Sequence, residues 1–235
     1  STHSYTGQAK ISIQKDLLVF SDYVHEDYNM FNTKPFMSLV RKGIRKKMKP
    51  LLESNAGQEK EDNREKIHDD YKDYYDLQDI EDCGYQILEN GRFGIQEPFV
   101  FQDSFIVKDG FVKNAGNAII FEIGKFIGKQ TEVKDKNRER DFDVHQIYTK
   151  SVNNTIRFKI PEGYTISGTE ALEKNVENET GAFISSAEEK DGFLVVKTSY
   201  QIKNIYEPAA NWPKMLLFMD EAAQFYNEKI VLTKK

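Results

Sequence analysis

The sequence contains little cysteine and no long apolar segment. Cys83 is the single cysteine among 235 residues, so the chain can form neither an internal disulfide nor a cysteine-based zinc site. No apolar run approaches the roughly 18–20 residues of a membrane-spanning helix. The chain begins at Ser1 with neither an initiator methionine nor a signal peptide, and we therefore expect it to be a piece of a longer protein.

A strong excess of one charge is also missing. Lys and Arg together number 33 and Asp and Glu 38, which gives a net charge of -5. This balance disfavours general binding to nucleic acid or to acidic membranes. With 39% apolar and 30% charged residues, the composition is that of a globular protein with a polar surface.

Aromatic residues are abundant, with 16 Phe and 12 Tyr, and they favour strands over long helices. Apolar patterns predict the following strands: 7–15, 99–106, 118–127, 155–160, 182–186, 193–202 and 229–233. Pro161 and Gly163 separate two such patterns and predict a tight turn rather than a working site. The sequence therefore indicates a mostly β fold.

Two segments have helical periodicity. The first runs from Thr33 to Pro50, and residues 53–73 after it are so polar that they indicate a solvated helix or a mobile connector. The second follows Asn211, a candidate N-cap. Its predicted apolar stripe consists of Trp212, Leu216, Met219, Ala223 and Tyr226.

A highly charged segment at 134–141 has no apolar anchor and indicates a domain boundary, which we place near Glu132. The predicted fold class is mostly β, or α+β by content. Residues 1–132 would form a β-rich module with a helical insertion at about 33–73. Residues 133–235 would form a C-terminal antiparallel β-sandwich module with one helix.

Cys83 offers the clearest enzymatic hypothesis, a thiol-dependent hydrolase or acyl transferase with His145 or His68 as the base. Such chemistry requires a thiolate. Glu81 and Asp82 precede Cys83, and their negative charge disfavours ionisation of the thiol. We therefore predict no catalytic residue in this chain and treat the thiol enzyme as an alternative.

The four histidines lack the i,i+4 spacing that places two metal ligands on one helical face. His68 stands beside Asp69 and Asp70, but a solvated acidic run explains these residues better. We predict neither a metal nor a cofactor.

Two groups of residues are candidate binding surfaces. Arg41 and Arg45 belong to the basic face of the first predicted helix and could contact phosphate, anionic lipid or an acidic partner. Tyr71, Tyr74 and Tyr75 could form an exposed stacking platform for a sugar or a protein, since aromatic residues commonly anchor interfaces. A glycan-binding module that uses these tyrosines is the second alternative.

The chain from about Gly91 to its end resembles the C-terminal β-rich region of multidomain bacterial proteins, common in Bacteroidetes, that carry a domain of unknown function and a transglutaminase-like domain. The matching pieces are NAGN at 114–117, IGKQ at 127–130, IPEGY at 160–164, NETGAF at 178–183, NW at 211–212 and EKIVLTKK at 228–235.

This resemblance implies that the catalytic Cys-His-Asp domain precedes the chain in the same polypeptide. It also implies an extracytoplasmic location, periplasmic or surface-associated. We therefore expect a non-catalytic accessory region that supports or positions the transglutaminase-like domain and binds a protein or a glycan.

Overall fold

A computed structural model describes residues 2–15, 18–31, 69, 72, 75, 81–89, 99–107, 110–146 and 149–235 of the chain. Within the first four strands, the description before residue 106 covers the backbone alone.

The larger sheet contains eight strands. They are β1 (Thr2–Lys15), β2 (Leu18–Phe31), β3 (Glu81–Glu89), β4 (Phe99–Val107), β8 (Thr149–Lys159), β10 (Lys174–Glu177), β11 (Gly181–Lys190) and β12 (Phe193–Ile202). Their order in the sheet is β10-β11-β12-β8-β2-β1-β4-β3. All neighbours are antiparallel except β1 and β4, which are parallel.

The remaining strands are β5 (Val112–Ala115), β6 (Ala118–Phe121), β7 (Val144–His145), β9 (Tyr164–Ser167), β13 (Tyr206–Glu207) and β14 (Ile230–Lys234). Four of them form a second, antiparallel sheet in the order β5-β6-β14-β9. The other two, β7 and β13, pair with each other. The C-terminal helix spans Trp212–Phe225. Short 3-10 helices span Ile123–Ile127, Asp135–Asn137, Thr169–Leu172 and Ala209–Asn211.

The core joins the two sheets through aromatic rings. Phe158 of β8 lies 4.4 Å from Phe121 of β6, measured between ring centroids. Phe121 stacks on Phe126 of the 3-10 helix, which in turn stacks on Phe111. Each of these four side chains is fully buried. Burial of four aromatic rings therefore stabilises the contact between the two sheets.

The mostly β, antiparallel fold with a helix near the C-terminus is confirmed. The turn after β8 is also confirmed, because Gly163 has a φ of 80° and lies between β8 and β9. Only Ala118–Phe121 of the apolar run 118–127 is a strand, however, and Ile123–Ile127 forms a 3-10 helix. There Gly124 approaches the end of the C-terminal helix, and this tertiary contact outweighs the local preference for a strand.

The predicted apolar stripe of the C-terminal helix is partly wrong. The buried residues of this helix are Trp212, Met215, Leu216, Phe218, Ala222 and Phe225, and only Trp212 and Leu216 belong to the predicted stripe. Asn211 precedes the helix as predicted, but its side chain makes no capping bond; its Nδ2 donates to Glu207 Oε2 at 2.7 Å. The predicted first helix (33–50) lies outside the described residues, as does most of the polar segment 53–73.

The two predicted modules share sheets and a core. β14 pairs with β6 and β8 pairs with β2, so both sheets combine strands from either side of Glu132. In the described part of the chain, Glu132 therefore does not separate two independent cores.

The charged segment 134–141 is attached to the C-terminal helix. Arg138 donates to both carboxylate oxygens of Asp220, and the Trp212 indole Nε1 donates to the carbonyl oxygen of Asn137 at 3.0 Å. The Arg140 guanidinium lies 4.7 Å from the centroid of the Trp212 ring. The segment itself contains no apolar residue, and Trp212 anchors it from a distant part of the sequence.

Glu122 is a buried carboxylate, 5% exposed, that follows β6. It accepts a hydrogen bond from Lys113 Nζ at 2.6 Å, and Lys125 Nζ lies 3.1 Å from its other oxygen. Burial alone raises the pKa of Glu122, but the hydrogen bonds and charges of Lys113 and Lys125 bring it below its ordinary value. A lowered pKa stabilises the fold at pH values above the unfolded pKa, and this stabilisation is lost as the pH falls through the folded pKa.

The Glu122→Gln variant retains the shape of the side chain and removes its charge. We expect the free energy of unfolding to fall by about 1–2 kcal/mol at neutral pH, because the hydrogen bonds lose their ionic character. The deficit should shrink as the pH falls through the lowered pKa of Glu122, because the wild-type carboxyl then becomes neutral as well. Urea unfolding at neutral and at acid pH measures the deficit, with exposed Glu188→Gln as the control. A deficit that grows in acid contradicts this account.

Candidate binding cleft

A cleft of about 450 Å³ lies on the large sheet. Strands β8, β12 and β11 contribute to its lining, together with the C-terminal helix and the segment that follows the 3-10 helix at Ile123–Ile127. Its lining residues are Ile127, Lys129, Gln130, Thr131, Gln146, Lys150, Val152, Asn154, Phe183, Thr198, Tyr200, Ile202 and Met219. The volume is typical of small-molecule sites, which measure about 300–1,000 Å³.

Strand alternation places polar residues among the apolar ones in this lining. On β8, Val152, Asn154 and Ile156 are buried and point to one face, while the residues between them are more exposed. Asn154 is paired with Thr198 of β12 in the sheet register, and its Nδ2 lies 3.0 Å from Thr198 Oγ1. Both side chains are buried, at 4% exposure each.

The other end of the Asn154 amide is not satisfied. Its Oδ1 is enclosed and has no hydrogen-bond partner in the described part of the chain. An unsatisfied buried polar atom typically costs about 1–3 kcal/mol, so a bound water or ligand is the usual explanation in a native protein.

Tyr200 contributes both a ring and a hydroxyl to the cleft. Its ring packs edge-on against Phe218 of the C-terminal helix, with 5.5 Å between the centroids. Burial raises the pKa of Tyr200 to about 12. The hydroxyl therefore remains protonated at neutral pH and is able to donate a hydrogen bond.

The rim is basic. Of the described residues that line the cleft, the charged ones are Lys129 and Lys150. Lys129 is exposed and follows Gly128, where the chain leaves the 3-10 helix. Gln130 donates from its Nε2 to the carbonyl oxygens of Ile127 and Gly128, at 3.2 and 3.0 Å, and this holds the segment in place.

This arrangement is suited to binding. The described lining offers amides, hydroxyls and ammonium groups beside apolar surface, and it contains no carboxylate, imidazole or thiol. Hydrogen bonds and charge can therefore orient a ligand there while apolar contacts exclude water.

Of the predicted binding residues, the structure describes Tyr75 alone. Tyr75 is 2% exposed and packs against Phe111 and Phe126, with 6.2 Å between the centroids in both pairs. The interpretation of Tyr75 as an exposed stacking ring is therefore wrong, because its ring is buried in the aromatic core. Tyr71, Tyr74, Arg41 and Arg45 lie outside the described residues.

The residues of the thiol hypothesis are only partly described. Cys83 lies on strand β3, and its side chain is outside the description, as is His68. His145 is exposed on β7. Among the described side chains, no three potential metal ligands converge.

The sequence contained a signal for the cleft that the strand patterns alone did not reveal. Asn154 and Thr198 interrupt the apolar faces of β8 and β12, and a polar residue at a buried strand position commonly marks a polar network or a site. Their pairing depends on the register of β8 against β12, which strand patterns leave open.

No helix in the part of the chain that the structure describes is both long enough and apolar enough to span a membrane.

Comparison with protein families gives a match over part of the chain. The model of a family described as "Domain of Unknown Function with solved-structure structure (DUF3858)" matches residues 117–232. No curated protein and no solved structure was found to match the chain. Residues 117–232 are therefore similar to this family of domains of unknown function, and every described residue that lines the cleft lies within the matched range.

Proposed function

We propose that the chain is a non-catalytic accessory region of a multidomain bacterial protein of the kind common in Bacteroidetes. In this role it supports or positions a transglutaminase-like domain of the same polypeptide, outside the cytoplasm in the periplasm or at the cell surface. It also binds a protein or a glycan through the cleft on the large sheet.

The composition of the cleft is the observation that carries the binding role. Its described lining combines hydrogen-bonding side chains, two lysines and apolar surface, and it contains no carboxylate, imidazole or thiol. The accessory role and the location are supported by the resemblance of residues 91–235 to the regions that follow transglutaminase-like domains.

The accessory role is tested with the polypeptide that contains both regions. We expect attachment of the chain to raise the melting temperature of the transglutaminase-like domain by at least about 4 °C, since a docked partner stabilises the folded state. Calorimetry of the joined and the separate regions measures the shift. Identical melting temperatures, or a preceding sequence without such a domain, contradict the proposal.

The Cys83→Ala variant of the same polypeptide separates this proposal from the thiol enzyme. We expect transamidation or hydrolysis by the joined protein to be unchanged, because the reacting cysteine belongs to the other domain. Loss of activity in this variant, with an unchanged melting temperature, contradicts the non-catalytic assignment.

A further inference from the structure

We propose that the paired strands β7 and β13, with the residues that adjoin them, form the surface on which the preceding domain of the same polypeptide docks. We call residues 142–146 and 205–207 the ribbon. This inference rests on the proposed function, in which the chain supports a preceding domain, and it identifies the part of the fold that contacts that domain.

Exposed apolar side chains are concentrated in the ribbon. Phe142 is 81% exposed, and Tyr206 and Ile205 are 56% and 37% exposed. Among the described side chains, the other large apolar ones that are exposed are Ile184 on β11 and Leu217 on the C-terminal helix. Phenylalanine and tyrosine are enriched at protein interfaces, and neighbouring exposed apolar groups commonly mark a binding surface. The composition of the ribbon therefore indicates contact with a protein.

Hydrogen bonds hold the two halves of the ribbon together. The Tyr206 hydroxyl donates to the Asp143 carboxylate. The Gln146 N–H donates to the Ile205 carbonyl oxygen at 2.6 Å. Phe142 directly precedes Asp143, so its backbone adjoins the same bonded unit. Because these segments are already ordered, a partner that docks on them pays little for ordering the chain.

The other face of the ribbon is fixed to the body of the protein. Val144 and Glu207 are opposite each other in the strand register, and both are buried. The Glu207 carboxylate accepts hydrogen bonds from Asn204 and from Asn211, which directly precedes the C-terminal helix. A domain that docks on the ribbon is therefore held by the folded core.

The ribbon lies near the point at which a preceding domain is attached. Thr2, the first described residue, pairs with Phe31 of β2, and Phe31 pairs with Thr149 at the start of β8. Neighbouring strands are about 5 Å apart, so Thr2 lies roughly 10 Å from Thr149. Gln146 is three residues before Thr149, a stretch that spans at most about 11 Å. A domain of about 100 residues has a radius of gyration of about 13 Å, so one joined at Ser1 is large enough to reach the ribbon.

Amide hydrogen exchange of the 235-residue chain, and of the polypeptide that also contains the preceding domain, tests the proposal. We expect the backbone amides of 141–145 and 204–206 to exchange about tenfold more slowly in the joined polypeptide, the factor for a surface that is covered about 90% of the time. Slower exchange confined to another surface of the chain overturns the proposal and leaves the accessory role standing. Unchanged exchange throughout the chain contradicts the accessory role as well.

A matched pair of variants of the joined polypeptide assigns the contact. Phe142→Ala should return exchange in the ribbon to within about twofold of its rate in the chain alone, because aromatic anchors dominate the binding energy of interfaces. Leu217→Ala removes an exposed apolar side chain from the C-terminal helix and should leave the slower exchange unchanged. Unaltered exchange in β12 shows that each variant is folded. Exchange in the ribbon that stays slow in Phe142→Ala contradicts the proposal.

Measurements of the chain alone at two concentrations distinguish the preceding domain from a second copy of the chain. We expect exchange in the ribbon to be independent of concentration. If exchange there slows as the concentration rises, the ribbon is an interface between copies, and the proposal is wrong.

Discussion

Replacing Gly124 with alanine is expected to lower the free energy of unfolding by at least about 3 kcal/mol, the upper part of the range for overpacked positions. A Cβ at this position would lie 2.0 Å from the Phe225 carbonyl oxygen and 2.9 Å from the Tyr226 carbonyl carbon. These atoms belong to the backbone at the end of the C-terminal helix. The Gly124 N–H also donates to the Glu228 carbonyl oxygen at 3.1 Å, so the two segments cannot separate without losing this bond.

Thermal unfolding measures the effect, and a loss of this size corresponds to a melting temperature lowered by roughly 10 °C. Gly163→Ala is the control. Gly163 has a φ of 80° but nothing within 4 Å of an added Cβ, so strain alone costs about 1 kcal/mol. Equal losses for the two variants would contradict the close approach at Gly124.

Phe158→Ala is the second change with a large expected effect. Phe158 is fully buried, and its ring contacts Phe121 across the two sheets. Removing a buried phenylalanine ring typically costs about 3–5 kcal/mol, through lost burial and the cavity that remains. Because this ring belongs to the contact between the sheets, we expect both sheets to be destabilised together.

Amide hydrogen exchange distinguishes a shared loss from a local one. Protection should fall in β8 and also in β6 and β14 of the smaller sheet. The control is Phe142→Ala, because Phe142 is 81% exposed and its removal should leave stability nearly unchanged. Reduced protection confined to β8 would contradict a shared core.

Alternation and turn residues predicted much of the strand framework. The predicted strand 193–202 is β12, on which Leu194 and Val196 are buried between more exposed neighbours, and Gly163 forms the turn after β8. Local pattern sufficed in these cases because period-two alternation and a turn glycine depend on neighbours in sequence.

Contacts between distant residues account for the wrong predictions. Tyr75 lies in a polar stretch, yet Phe111 and Phe126 bury its ring. Trp212 anchors the charged segment through Asn137 and Arg140, which lie more than 70 positions earlier. Periodicity contains no information about such contacts, so they appear only once the sheets are assembled.

The cleft illustrates the same limit at the level of function. Asn154 and Thr198 are 44 positions apart, and the register of β8 against β12 brings their side chains together. Lys129 belongs to a third segment, which follows the 3-10 helix at Ile123–Ile127. As an alternative, the sequence predicted a glycan surface at Tyr71, Tyr74 and Tyr75, of which the structure describes Tyr75 alone and buries its ring.

A crystal structure of the polypeptide that contains this chain and the region before it tests the central claim, that the chain supports or positions a transglutaminase-like domain. The account predicts a transglutaminase-like domain in the preceding region, packed against the chain. A preceding region without such a domain, or two regions that make no contact, would contradict it.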